Sequence, residues 1–137
     1  AHMGANVGWV FNRKEAKDHG EGGRFVGAPL QGRVVLVDDV LTAGTAVREA
    51  AELIRAAGAE LAGVVIALDR QELQDRASSS TNAVTSLQAD LGIPVVSMLT
   101  LQDVIEYLDL KPDHDKYRRE VVDAIKQYQD AYCLRRP

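Results

Sequence analysis

Arg33-Val34-Val35-Leu36-Val37-Asp38-Asp39-Val40-Leu41-Thr42-Ala43-Gly44-Thr45-Ala46-Val47-Arg48-Glu49-Ala50-Ala51 is the stretch that decides the fold of this chain. It begins with an apolar run, residues 34–37, too short for a helix and rich in β-branched side chains. Such a run predicts a strand buried on both faces of a parallel sheet. Asp38 and Asp39 close it, a small-residue loop of Thr42, Ala43, Gly44 and Thr45 follows, and Val47, Ala50, Ala51 and Ile54 then fall at helical spacing. An ordinary strand-to-helix turn, its threonines capping the helix, would account for the loop by itself. The acid pair shifts the reading. Adjacent carboxylates ending an apolar strand repel each other unless sugar hydroxyls, a divalent cation or nearby amides offset them. Backbone N–H groups at a helix N-terminus hold anions. In combination these features predict a cradle for a phosphorylated sugar.

Downstream, the first helix is expected to stop at Gly58, a left-handed terminator. Residues 61–68 form a second apolar strand ending in the charged pair Asp69-Arg70. A Ser78-Ser79-Ser80 run can cap the next helix, whose stripe is Ala83, Val84, Leu87 and Leu91 and whose stop is Gly92. Residues 93–99 are a third strand, and Thr100 with Asp103 predicts a capping box for a short helix. A last helix over about 113–134 places Tyr117, Val121, Ile125, Tyr128 and Tyr132 on one side, where aromatics pack. The alternation predicts one α/β domain over 1–137, a parallel sheet flanked by helices. Ligands of such sheets sit beyond the carboxyl ends of the strands, which makes Asp38-Asp39 and Asp69-Arg70 partners in one site.

Upstream, residues 7–11 read as a short strand containing Trp9 and Phe11. Residues 12–27 then carry almost no apolar side chain but Arg13, Lys14, Lys17, His19 and Arg24 among glycines. A polar stretch of that length is a solvated linker or a functional loop; its cations suit a mobile lid closing on an anion.

Composition narrows the classes. The chain has 137 residues, 46% hydrophobic and 26% charged, with a net charge of −4, enough for one core and without the basic bias of a nucleic-acid binder. Cys133 is the only cysteine, which leaves no internal disulfide and points to a reducing compartment. No apolar run reaches membrane-spanning length and the first residues lack a signal-peptide core, so a soluble, cytoplasmic chain with no membrane partner is expected. Residues 1–3 resemble a tag remnant. Other phosphate motifs are excluded: no lysine follows Gly44 as a P-loop requires, and Gly20-Glu21-Gly22-Gly23-Arg24-Phe25 fails the dinucleotide fingerprint at Phe25.

Residues 34–45 resemble the phosphoribosyl-pyrophosphate (PRPP) motif of type I phosphoribosyltransferases. The segment Phe11-Asn12-Arg13-Lys14-Glu15-Ala16-Lys17-Asp18-His19-Gly20-Glu21-Gly22 and the run Leu68-Asp69-Arg70-Gln71-Glu72 are similar to those of the orotate phosphoribosyltransferase branch. The first motif is shared with purine, uracil and regulatory relatives; the second is far more specific. The resemblance implies a type I phosphoribosyltransferase-like fold and the transfer of a phosphoribosyl group from PRPP to orotate. The products would be orotidine 5′-monophosphate and pyrophosphate, in pyrimidine synthesis.

For the site, the resemblance implies a PRPP-binding motif over 34–46. Asp38 and Asp39 would hold the ribose hydroxyls and stabilise an oxocarbenium-like centre. Val40, Leu41, Thr42, Ala43, Gly44, Thr45 and Ala46 would bind PRPP, with Thr42 to Ala46 cradling the 5′-phosphate through amides and hydroxyls, each charge-assisted bond contributing ~1.5–3 kcal/mol. Arg13, Lys14, Lys17 and His19 would neutralise the pyrophosphate, with Lys17 and His19 catalytic alongside the two aspartates. This 12–27 loop would act in trans across a homodimer, and its closure would keep water from the reactive centre. Thr42 and Arg70 would bind orotate; an ion pair of Arg70 with Asp69 or Glu72 is the plain alternative. Mg²⁺ would be held mainly by PRPP and water oxygens rather than by direct protein ligands.

The family carries a hood segment before the position of Val7, together with a first strand and helix of its core. The resemblance therefore implies an N-terminally truncated chain, reduced activity alone, and an uncovered sheet edge favouring dimerisation. A non-catalytic PRPP-binding module or regulator stands as the other class.

Overall fold

The structure is a computed structural model that describes residues 4, 6–17, 23–73, 81–110 and 116–133. Two antiparallel strands come first, β1 (Val10–Lys17) and β2 (Gly23–Gly27). A parallel sheet follows, built from β3 (Arg33–Val40), β4 (Glu60–Asp69) and β5 (Val95–Thr100) in the order β3-β4-β5. The helices are α1 (Thr45–Ala56), α2 (Ala83–Leu91), α3 (Leu101–Asp109) and α4 (Lys116–Tyr132). Parallel sheet and alternating helices are those expected from the apolar runs.

The core lies between one sheet face and α1 with α2. Leu41, Val47, Val64, Ile66, Ala83, Leu87 and Val95 form one buried cluster, and Ala51, Ile54, Ala59 and Leu61 a second; Leu36, Leu91 and Ile93 pack against both. Val47, Ala51 and Ile54 come from one α1 face, as the helical spacing requires. Gly58 and Gly92 end α1 and α2 with positive φ, as expected.

Several expectations are corrected. Residues 34–37 are not buried on both faces. Side chains of β3 alternate, and Val35 and Val37 remain 55% and 72% exposed, beside Val96 at 57% and Met98 at 71% on β5. The helices that pack on this sheet through the core cover only the other face, so an apolar run that reads as central is half wet.

Residues 12–17 and 23–27 are strand rather than loop. A two-stranded ribbon satisfies its backbone groups across the ladder, which needs no apolar alternation to form. Phe11 faces Val26 and Asn12 faces Phe25, then the register breaks before Lys17 meets Gly23. Trp9 and Phe11 stack with centroids 6.0 Å apart, but the strand begins only at Val10. Residues 18–22, with His19, lie outside the described part.

The α2 cap is Asn82, not the serine run. Its side-chain oxygen accepts from the Thr85 amide at 2.8 Å, one of the free donors of a first helical turn. Residues 78–80 lie outside the described part. The Thr100/Asp103 capping box of α3 is present, with Thr100 N donating to Asp103 at 2.7 Å. In α4 the buried position is Val122; Val121, Ile125 and Tyr128 are only half buried and Tyr132 is exposed. The reason is that α4 packs along α3, where Lys126 pairs with Asp109 at 2.9 Å, instead of crossing the sheet core.

Candidate active site

Parallel pairing sets Asp38 of β3 beside Ile66 of β4, and Val40 beside Leu68, so both strands deliver charged ends to the same edge. Alternation sends the two carboxylates to opposite sides. Asp38 is half buried on the α1 side; Asp39 is exposed on the open face. Each folds back on its own chain: Asp38 Oδ1 accepts from the Asp39 amide at 3.0 Å and Asp39 Oδ1 from the Val40 amide at 2.6 Å. The amides that offset the acid pair are therefore its own next residues, and the second oxygens stay available.

The turn from β3 to α1 is held from beneath. Leu41 is buried in the core, so only its backbone can face a ligand, while Thr42, Ala43, Thr45 and Ala46 are exposed. Gly44 is the N-cap, at φ 73° and ψ 10°, and no side chain caps the helix. The threonines thus do not spend their hydroxyls on capping, and the first turn of α1 holds no acidic residue. Unpaired first-turn N–H groups without a competing carboxylate make a site with a positive field.

Arg48, which sequence reasoning missed, locks this turn. Its Nη1 donates to the Ala43 carbonyl at 2.6 Å, its Nε donates to Asp90 of α2 at 3.2 Å, and its Nη2 pairs with the same carboxylate. The available signal was its place one helical turn after Gly44.

At the end of β4, Asp69 is buried and accepts from the Gln71 amide at 2.7 Å. Arg70 does not pair with Asp69. Its Nη2 donates to Glu72 Oε2 at 3.3 Å and its Nε lies 3.2 Å from Glu72 Oε1.

Two clefts collect part of these groups, and Asp39, Thr45, Asp69 and Arg70 line neither of them. One of about 830 Å³ joins Asn12 and Arg13 of β1 to Asp38 of β3 and Ala46 of α1. The other, about 440 Å³, is lined by Thr42, Ala43, Arg48, Glu72, Leu73 and Ala83. Arg13 and Asp38 thus line one cleft within a single chain, where the resemblance implied that Arg13 acts across a dimer, and Thr42 lines the other with Glu72 and Leu73. Lys14 and Lys17 lie on β1 with side chains outside the described part. Among the described residues no group of three or more His, Cys, Asp or Glu could hold a metal. An acid pair with free oxygens fits a cation carried chiefly by ligand and water oxygens.

The family model for the phosphoribosyl transferase domain matches residues 26–109. The chain belongs to the phosphoribosyltransferase family. It is 50% identical over 133 residues to the curated orotate phosphoribosyltransferase of Klebsiella pneumoniae (strain 342), covering 97% of this chain and 59% of that protein. The orotate phosphoribosyltransferase of Cupriavidus metallidurans is 54% identical over 130 residues, or 93% of this chain and 58% of that one. The crystal structure of the Francisella tularensis orotate phosphoribosyltransferase matches with a TM-score of 0.68 and 32% identity, over 96% of this chain and 58% of that one. This phosphoribosyltransferase chain therefore spans a little under three fifths of the relatives it matches. No helix among its described residues is long and apolar enough to cross a membrane.

Proposed function

We propose that this chain carries the PRPP and orotate subsites of an orotate phosphoribosyltransferase. The observation that carries the proposal is the 50% identity to a curated enzyme of that activity across 97% of the chain. Asp38 and Asp39 bind the ribose hydroxyls, their own amide contacts leaving an oxygen each for the sugar. As the bond to pyrophosphate lengthens, positive charge grows on the anomeric carbon, and the two carboxylates stabilise it. Thr42 and Thr45 hydroxyls, with the amides of 43–46, hold the 5′-phosphate at the uncapped end of α1. Arg13, Lys14, Lys17 and His19 neutralise the departing pyrophosphate from a neighbouring subunit of a cytoplasmic homodimer. Thr42 and Arg70 face orotate, whose carboxylate or ring carbonyl suits a guanidinium fork. Mg²⁺ would be held mainly by PRPP and water oxygens near Asp38 and Asp39, and would supply charge neutralisation on the leaving group.

The test is loss of the orotate ultraviolet absorbance with PRPP and Mg²⁺, alongside calorimetric titration of PRPP–Mg²⁺. Turnover supports the reading. Binding without turnover leaves a non-catalytic PRPP-binding module, and no PRPP binding overturns the site. Mixing folded, inactive Lys17→Ala and Asp39→Asn chains is expected to restore activity; absence of restoration overturns the action in trans.

A further inference from the structure

Arg70 sits in a segment stitched to the far end of the chain. Leu73 N donates to Tyr132 O at 3.0 Å, Cys133 Sγ donates to Arg70 O at 3.1 Å, and Glu72 forms an antiparallel bridge with Cys133. Side chains repeat the pattern. Tyr128 Oη donates to Glu72 Oε1, the carboxylate that pairs with Arg70. Gln129 Nε2 donates to Gln102 Oε1 at 3.0 Å, and the Gln102 amide donates to Gln71 Oε1 at 3.2 Å. Gln71 is buried and left-handed at φ 59°, the only non-glycine residue of positive φ recorded among the described residues. A buried, unbranched residue held there has its backbone fixed by its surroundings, and such strain concentrates where a neighbouring side chain must be aimed.

The geometry of the ion pair adds a direction. Glu72 occupies the Nε and Nη2 edge of the Arg70 guanidinium, and among the described residues Nη1 has no partner. Glu72 also lines the cleft that contains Thr42. We infer that Glu72 and Tyr128 are positioning residues for Arg70: the α4 phenol pins the Glu72 carboxylate, which lines the Thr42 cleft and holds the guanidinium beside it with the Nη1 end left for the anionic base. This rests on the reading of Arg70 as an orotate ligand. It assigns a role in base binding to α4, a helix that contributes nothing to the phosphate cradle.

The probes are orotidine 5′-monophosphate and ribose 5-phosphate, titrated by calorimetry into the full chain and its variants. Tyr128→Phe is expected to weaken the nucleotide about three- to tenfold, the worth of one ordinary hydrogen bond. Ribose 5-phosphate affinity should not change. Glu72→Ala should weaken the nucleotide further, and Glu72→Gln should restore part of that loss. In an Arg70→Ala background, Tyr128→Phe should have no additional effect. Lys126→Ala, which frees α4 from Asp109 without touching Glu72, is the control for simple loosening of the helix and should bind both ligands normally. Equal nucleotide affinity in wild type and Tyr128→Phe overturns the positioning role while leaving the orotate site standing. An equal loss in Lys126→Ala overturns it as well. Arg70→Ala that binds the nucleotide normally overturns the orotate reading and the positioning role together.

Discussion

Gly44 shows how much a single position carries. A side chain there would need a left-handed backbone at φ 73°, and its Cβ would sit 3.0 Å from Arg48 Nη1 and 3.3 Å from Leu87 Cδ1. Gly44→Ala is therefore expected to cost about 1–2 kcal/mol from the backbone alone. Displacing Arg48 would also unlock the Ala43 carbonyl, so ribose 5-phosphate affinity should fall. A denaturant midpoint and phosphate titration equal to wild type would contradict this. Cys133 gives a second residue-scale expectation. Burial, then the negative charges of Glu72 and Asp69, push its thiol pKa up, with Arg70 opposing in part. The folded chain thus holds its proton where the unfolded chain, ionising at about 8.5, releases it. Stability should be full below that range and decline as pH rises through it toward the raised folded value. Cys133→Ala should flatten that share of the alkaline decline in denaturant midpoints; an identical slope in both proteins would refute it.

At the scale of elements, legibility followed how much of the signal is local. Residues 34–45 announced strand, turn and helix because β3, the turn and α1 follow one another without a break and the helix buries its apolar spacing. The Thr100 box was legible because both partners lie within four residues. Thr100→Ala should cost about 1 kcal/mol of stability in chemical denaturation, and Thr100→Ser much less. The β1–β2 ribbon was not legible, since its ladder is satisfied by backbone pairing and leaves no hydrophobic period in residues 12–17. Arg48 and Asp90 were equally silent, being forty-two positions apart and joined only by the packing of α1 on α2. Left-handed Gln71 carries no glycine to betray it. What aims Arg70 comes from α4, and no pattern around Asp69 and Arg70 could contain Tyr128.

For the whole molecule, the family and the strand–turn–helix of the proposed phosphate cradle were readable because both rest on one continuous stretch, whereas the separation into two clefts depends on how β1, α1 and α2 meet. The open face of the sheet has a calorimetric consequence. Val35, Val37, Val96 and Met98 are already hydrated in the folded state. Unfolding exposes little new surface at those positions, so they add almost nothing to the heat capacity change or to the denaturant slope. Ordinary domains gain about 12–15 cal/mol/K per residue on unfolding; this chain should fall below that range. Its stability curve should accordingly be broad and shallow, with weak dependence on temperature near its maximum. Scanning calorimetry giving an ordinary or higher value per residue would show that the face is covered in solution.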